Sequence, residues 1–236
     1  MGRPSVTVGM LIYKSPDWLA FALEGLAWSR NHTPYRTMVF SNDGEPAVIE
    51  TNRPDVYFHN PDPKEYYLNR VYRAWNACVE ACETELVVLM NSDMYVSDYW
   101  LDELVDVWIA DCNTIPCSIL AESGRIPSAM PEYVKNLGLQ PEDFDREGWR
   151  AHSASIRKPG ATEPGRLYMP CLFERDKFLQ AGGYPIGNIT NPDGSITSGD
   201  KFLFDRLAKG GLRHVTALGS VVYHTQEGEM RNRSTI

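Results

Sequence analysis

The chain is short of what marks a secreted, nucleic-acid-binding or membrane protein. Its 236 residues hold five cysteines, Cys78, Cys82, Cys112, Cys117 and Cys171, an odd number with no Cys-x-x-Cys pair. That pattern argues against a disulfide scaffold and for core packing in a reducing compartment. Basic residues are in deficit, 23 Lys and Arg against 31 Asp and Glu, for a formal net charge of −8. A broad phosphate-binding surface needs clustered Lys and Arg, so the balance argues against nucleic acid as the principal partner. No apolar run approaches the ~20 residues of a membrane span. The N-terminus reaches Val6 and an apolar strand at once, with no charged leader, long apolar segment or cleavage site, so a soluble, cytoplasmic protein is expected. Chemical motifs are missing as well. There is no GxGxxG after the first strand, no GxxxxGK[ST], no GxSxG and no HExxH. Nicotinamide-binding, P-loop, serine-hydrolase and zinc-protease chemistry lose their usual signatures.

What is present is ordinary globular composition, 43% hydrophobic and 23% charged, enough to bury one full core. Val6 to Tyr13 is a short β-rich apolar run. Ser15-Pro16-Asp17 then opens a helix, with Leu19, Ala22, Leu23 and Leu26 at helical spacing to about Ser29. Further strands are expected at Thr37 to Phe40, Val56 to Phe58, Leu86 to Met90 and His214 to Tyr223. Helices are expected over Leu68 to Val79, after Ser97 as N-cap, near Arg175 to Gln180, and from about Asp200 to Lys209. Alternating strands and helices with few tight hairpins predict an α/β fold, a Rossmann-like, mostly parallel sheet flanked by helices. Residues 122–165 break the pattern with five prolines and polar runs, which reads as loops and short helices.

In such sheets ligands sit outside the carboxyl ends of the strands. Three polar groups fall at those ends: Tyr13 with Lys14, Asn42 with Asp43, and Asn91-Ser92-Asp93. An acid directly after a fully buried strand, as Asp93 is, is well placed to hold a cation. Asp43 is equally consistent with a plain Asp-Gly turn, and Asp200, after Ser198-Gly199, with an N-cap.

Several segments in this order resemble the family 2 type of GT-A glycosyltransferases. They are Val6 to Tyr13 with Trp18-Leu19 and Ala22-Leu23; Phe40-Ser41-Asn42-Asp43-Gly44; Arg70 to Asn76 leading through Leu86 to Asp93; Phe173-Glu174-Arg175 with Gly182-Gly183-Tyr184; Gly199-Asp200; and Val222-Tyr223-His224. The resemblance covers nearly the whole chain. It implies one GT-A domain over 1–236, with a nucleotide-sugar-binding half at 1–112 and an acceptor-binding half at 113–236. It implies transfer from a nucleoside-diphosphate sugar, a UDP-sugar by preference, to a saccharide, lipid, protein or modified nucleic acid. Leu11, Tyr13, Asp43, Arg70, Asn91 and Ser92 would bind the donor nucleotide, with Tyr13 stacked on the base. Asp93 and His224 would hold Mn²⁺ or Mg²⁺, and Asp200 would be the general base of an inverting transfer. The chain departs from the family in Asn91, where an Asp is usual, and in Gly199, where a Glu is usual. Two other readings stay open: a sugar-1-phosphate nucleotidyltransferase, which lacks its basic Gly-rich loop here, and a catalytically silent nucleotide- or carbohydrate-binding module.

Overall fold

The computed structural model describes residues 2–13, 16–41 and 64–227, together with the backbone of 55–58. Asn42, Asp43 and Gly44 lie outside the described residues, as do Lys14 and Ser15. The elements in chain order are β1 (Val6–Ile12), α1 (Pro16–Trp28), β2 (Tyr35–Ser41), β3 (Asp55–Phe58), α2 (Tyr67–Ala81), β4 (Leu86–Asn91), β5 (Met94–Val96), α3 (Trp100–Ala110) and β6 (Thr114–Glu122). A 3₁₀ turn at Pro131–Tyr133 follows, then α4 (Arg146–Ile156), β7 (Thr162–Pro164), β8 (Cys171–Glu174), α5 (Arg175–Gln180), β9 (Ile189–Thr190), β10 (Ile196–Thr197), α6 (Gly199–Lys209) and β11 (Arg213–His224).

Nine strands form one sheet in the order β3-β2-β1-β4-β8-β6-β11-β5, with β7 also on β11. The pairs β1–β2, β1–β4, β2–β3 and β6–β11 are parallel, and β8 is antiparallel to both β4 and β6. So β1, β2, β3, β4, β6 and β11 all run one way, and the expected mostly parallel sheet is what forms. Helices cover both faces. On one, α1 and α3 pack Leu19, Leu23, Trp100 and Leu104 on Val8, Met10, Val88 and Met90. On the other, α2, α5 and α6 pack Tyr72, Trp75, Phe178 and Leu203 on Leu11, Val87, Leu89 and Phe173. β1 and β4 are buried from both sides, which is why their sequences are nearly continuous apolar runs.

Three details differ from expectation. Ser97 does not cap α3: its N–H donates to the Val221 carbonyl, which ties it to β11. The α3 cap is Tyr99 at φ 61, and the orphan N–H of Leu101 bonds the Asn31 side chain at 3.1 Å. Second, β5 and β6 were not expected; Pro116 inside β6 disguises the strand, because proline usually excludes a central position. Third, residues 122–165 carry an 11-residue helix, α4, whose Asp145 side chain accepts from Gly148 N–H as an N-cap. Four of the five cysteines behave as packing residues. Cys78, Cys82, Cys117 and Cys171 are buried and free, Cys112 exposed and free. Cys117 and Cys171 face each other across β6 and β8 beside His214, and their S–H groups are taken up by the Val215 and Leu167 carbonyls.

Asp102 locks the segment after α1 to α3. Its buried carboxylate accepts from the His32 and Thr33 N–H groups and from the Thr33 hydroxyl at 2.6 Å, with His32 Nδ1 at 3.0 Å. Burial alone would raise its pKa; the hydrogen bonds from Thr33 and His32 outweigh that and hold the carboxyl below the usual carboxylate range. A depressed folded pKa contributes stability that is present above the unfolded value of about 3.9 and lost as pH falls through the folded value. Urea unfolding should therefore find Asp102→Asn less stable than wild type by about 1–3 kcal/mol at pH 7. The difference should shrink as pH falls toward 2; a pH-independent difference would contradict this account.

Candidate functional site

The shared strand direction sends the carboxyl ends of β1, β4, β6 and β11 to one edge of the sheet, and a cleft of about 380 Å³ opens there. Its lining includes Leu11 and Tyr13 from β1 and just beyond, Asn91, Ser92 and Asp93 from the turn after β4, and Glu122 and His224 from the ends of β6 and β11. Asp200 from α6 and Tyr72 from α2 face the same space, with Tyr168 and Met169 ahead of β8. Of the nine residues expected at the site, seven line the cleft. Arg70 adjoins it with its guanidinium carbon 5.0 Å from the centre of the Tyr13 ring. Asp43 lies outside the described residues.

Each position has a local cause. Tyr13 is half-buried at the cleft mouth, not closed into the core, because β1 ends at Ile12. The Tyr13–Arg70 pair puts a cation against an aromatic face at a half-buried position, worth about 1 kcal/mol. Asp93 sits in the tight turn that reverses β4 into β5 and is only 3% exposed. β5 then pairs antiparallel with β11 so that Met94 stands opposite His224. On the other side of β11 the parallel register sets His224 opposite Glu122. The imidazole is therefore flanked by two carboxylates: His224 Nε2 is 3.3 Å from Asp93 Oδ2, and Nδ1 is 3.3 Å from Glu122 Oε1. His224 is 6% exposed, so it is no surface histidine at a terminus. Burial alone would raise the pKa of Glu122; hydrogen bonds from His224, Ser128 and Gln226, together with the His224 charge, outweigh it and hold this carboxyl below its ordinary value.

Asp200 is not the N-cap of α6. Ser198 is, accepting from the Lys201 N–H, and Asp200 stands in the first turn. Its Oδ2 accepts a hydrogen bond from the Tyr72 hydroxyl at 2.9 Å. Burial and the neighbouring Asp200 carboxylate both push the Tyr72 phenol upward, so it stays a proton donor. Tyr72 stacks on Tyr184 with ring centres 5.0 Å apart and planes 6° from parallel. Tyr184 is anchored by Asn76, which accepts from its N–H and donates to its carbonyl. The preceding Gly182 and Gly183 take φ of +81° and +64°, which lets the chain turn into that stack.

Sequence reasoning missed Glu122 and Tyr72. Glu122 follows Ile119-Leu120-Ala121, so the rule that singled out Asp93, an acid closing a buried strand, applies to it once β6 is recognised. Tyr72 read as one more apolar position on the face of α2.

The architecture is GT-A-like: a mostly parallel sheet between helices, with its cleft across the carboxyl edge. No protein-family model and no curated protein sequence matches the chain. In structure it is similar to S. aureus TarS, residues 1–349, with a TM-score of 0.60 at 10% identity, over 93% of this chain and 60% of that one. TarS is a family 2 glycosyltransferase. The present chain spans about three-fifths of that TarS fragment's length, and at this identity the likeness shows the fold alone. No helix among the described residues is long and apolar enough to cross a membrane.

Gly199 has a packing reason. A Cβ there would run into the Tyr72 ring and come within 3.0 Å of the Gly187 carbonyl. Gly→Ala inside a helix ordinarily stabilises by about 1 kcal/mol. At 199 the sign should reverse, with Gly199→Ala costing about 1–3 kcal/mol through overpacking against Tyr72. Calorimetry reads this directly; a raised melting temperature would mean that the ring has room to yield.

Proposed function

We propose that the chain is a glycosyltransferase moving a sugar from a nucleoside-diphosphate sugar, a UDP-sugar by preference, to an acceptor hydroxyl with inversion. The observation that carries this reading is the convergence in one cleft of three groups: an aromatic backed by Arg70, a buried carboxylate–imidazole pair, and a second carboxylate held by Tyr72. In this reading the half 1–112 binds the donor and 113–236 the acceptor, with 122–165 shaping acceptor choice.

Tyr13 presents its ring to the nucleotide base, since an aromatic face adds contact area at little entropic cost. Arg70 faces the base or phosphates as a fixed cation. Leu11, Asn91 and Ser92 complete the donor wall, and Asp43 accepts from the base. The Asp93 carboxylate and the His224 imidazole suit Mn²⁺ well, and Mg²⁺ with more oxygen from the diphosphate. The two donor atoms lie 3.3 Å apart on the cleft wall, close enough to serve one ion. Asp93 and His224 would hold such a cation, and it would supply charge neutralisation for the leaving nucleoside diphosphate. Asp200 takes the acceptor's hydroxyl proton as that oxygen attacks the anomeric carbon opposite the diphosphate. The Tyr72 hydroxyl steadies Asp200 through Oδ2.

Release of nucleoside diphosphate from a panel of UDP-, GDP- and dTDP-sugars, with and without Mn²⁺, tests the reading. EDTA should abolish turnover and Mn²⁺ or Mg²⁺ restore it, while Asp93→Ala should not be rescued at ordinary metal levels. Full activity in EDTA would overturn the metal assignment. Binding of nucleotide sugars with no release of nucleoside diphosphate would identify a silent binding module instead.

Asp200→Asn tests the base separately. Ser198, not Asp200, caps α6, so the substitution leaves the helix start intact. Donor affinity and melting temperature should hardly move, while turnover falls about 10²–10⁴-fold, the usual worth of a general base. Turnover within a few-fold of wild type would remove Asp200 from the mechanism. A product of retained anomeric configuration, read by NMR, would sink the single displacement.

A further inference from the structure

A second cavity, of about 180 Å³, shares no lining residue with the cleft. It is a groove between the end of α1, the turn from Ser97 to Tyr99 and α4, with β5 at its floor. Trp18 lines the cleft and Trp28 lines the groove, ten residues further along α1 and so about 15 Å away. One ring-sized ligand cannot fill both, and the reaction proposed above uses none of the groove's residues. Tyr99 sets the far wall. It is held at φ 61, a left-handed conformation unfavourable for a non-glycine residue, with its ring centre 5.8 Å from the Arg30 guanidinium carbon and 5.4 Å from that of Arg157.

In a chain of net charge −8, four arginines meet in this groove: Arg30, Arg146, Arg150 and Arg157. Three are paired, Arg30 with Asp98, Arg146 with Glu24 and Arg157 with Glu103. Arg150 is exposed and forms no ion pair among the described residues; its guanidinium carbon lies 5.1 Å from the centre of the Trp28 ring. Four cations against three carboxylates leave one arginine in excess. That suits a single anionic group and excludes a polyanion, which needs several unpaired cations together. Trp28 is 52% exposed, so a large aromatic surface stands at the rim beside the unpaired guanidinium. An aromatic face next to a cation matches a ring and an acid on one ligand. Asp98 Oδ1, which accepts the Arg30 N–H at 3.0 Å, has a second lone pair for a ring hydroxyl. The volume is below the ~300–1,000 Å³ of sites for drug-sized ligands, which leaves room for one ring. We propose that this groove is a second binding site, separate from the cleft, for a single sugar ring carrying one carboxylate or phosphate group. The ring packs against Trp28, and Arg150 binds the acid.

Titrations read by ¹H–¹⁵N NMR of the tryptophan indole and arginine Nε–H groups test it, with glucuronate, glucose 6-phosphate, glucose, benzoate and inorganic phosphate as probes. Glucuronate or glucose 6-phosphate should shift Trp28 and Arg150 together and saturate in the millimolar range. Glucose and inorganic phosphate, which lack the acid or the ring, and benzoate, which lacks ring hydroxyls, should each bind at least about 10-fold more weakly. Arg150→Gln should lose about 10–100-fold in affinity, the worth of one charge-assisted hydrogen bond, and Trp28→Ala about 10-fold. Both side chains are exposed, so both variants should melt close to wild type. Inorganic phosphate binding as tightly as the acidic sugars would mean an adventitious ion only. Equal binding of glucose would remove the role of charge, and equal binding of benzoate the choice of a sugar. No saturable shift at Trp28 with any probe, or unchanged affinity in both variants, would overturn the site. None of these readouts involves a nucleotide sugar or turnover, so the result stands apart from the function proposed for the cleft.

Discussion

The carboxyl end of β11 is hydrogen-bonded on both sides, in parallel to β6 and antiparallel to β5. This double pairing sets the geometry of the cleft. A strand's register fixes which side chains stand abreast, and a one-residue slip would turn each to the opposite face. Here the register puts Glu122 on one side of His224 and Met94, next to Asp93, on the other. Three residues separated by up to 131 positions in sequence thus become one buried, charged group. The turn that carries Asp93 is itself held by the same strand, because Thr225 N–H donates to the Asp93 carbonyl at 3.2 Å.

Across the cleft the support is aromatic. Tyr72, Tyr184 and Trp75 pack as one cluster under the start of α6, and the polar tip of that cluster is the hydroxyl that reaches Asp200. Gly199 belongs to the same arrangement, since the Tyr72 ring fills the space where a side chain at 199 would go. The absence of a Glu beside Asp200 therefore has a steric companion in Tyr72. The two departures from the resembled family differ in kind. At Asn91 a carboxylate is missing from the end of β4 while another, Glu122, is present at the end of β6, two strands over in the same cleft. At Gly199 the volume itself is occupied.

Much of this was legible from the residues. β1 and β4 announce themselves as apolar runs because both faces are covered, and the polar residues just beyond them mark the ligand edge. Amphipathic spacing located α1, α2 and α6. Less was legible between Met94 and Glu174. β6 contains a proline, β5 is three residues long, and β8 runs against its neighbours, so none gives a clear periodic signal. With β6 unseen, Glu122 passed for the first residue of a loop. With Ser97 engaged by β11, the cap it promised went instead to Tyr99 and the side chain of Asn31.

Sequence alone determined the α/β class, the direction of most strands and the edge at which polar groups collect. These follow from local periodicity and from the burial of strands between helices, and each is written within ten or twenty consecutive residues. Tertiary structure decided what those polar groups can do. The flanking of His224 by Asp93 and Glu122, the bond from Tyr72 to Asp200, and the passing of the α6 cap to Ser198 all depend on strand register and on packing between distant segments. Charge and hydrogen-bond geometry act over a few ångströms, and only the folded chain brings these particular atoms that close.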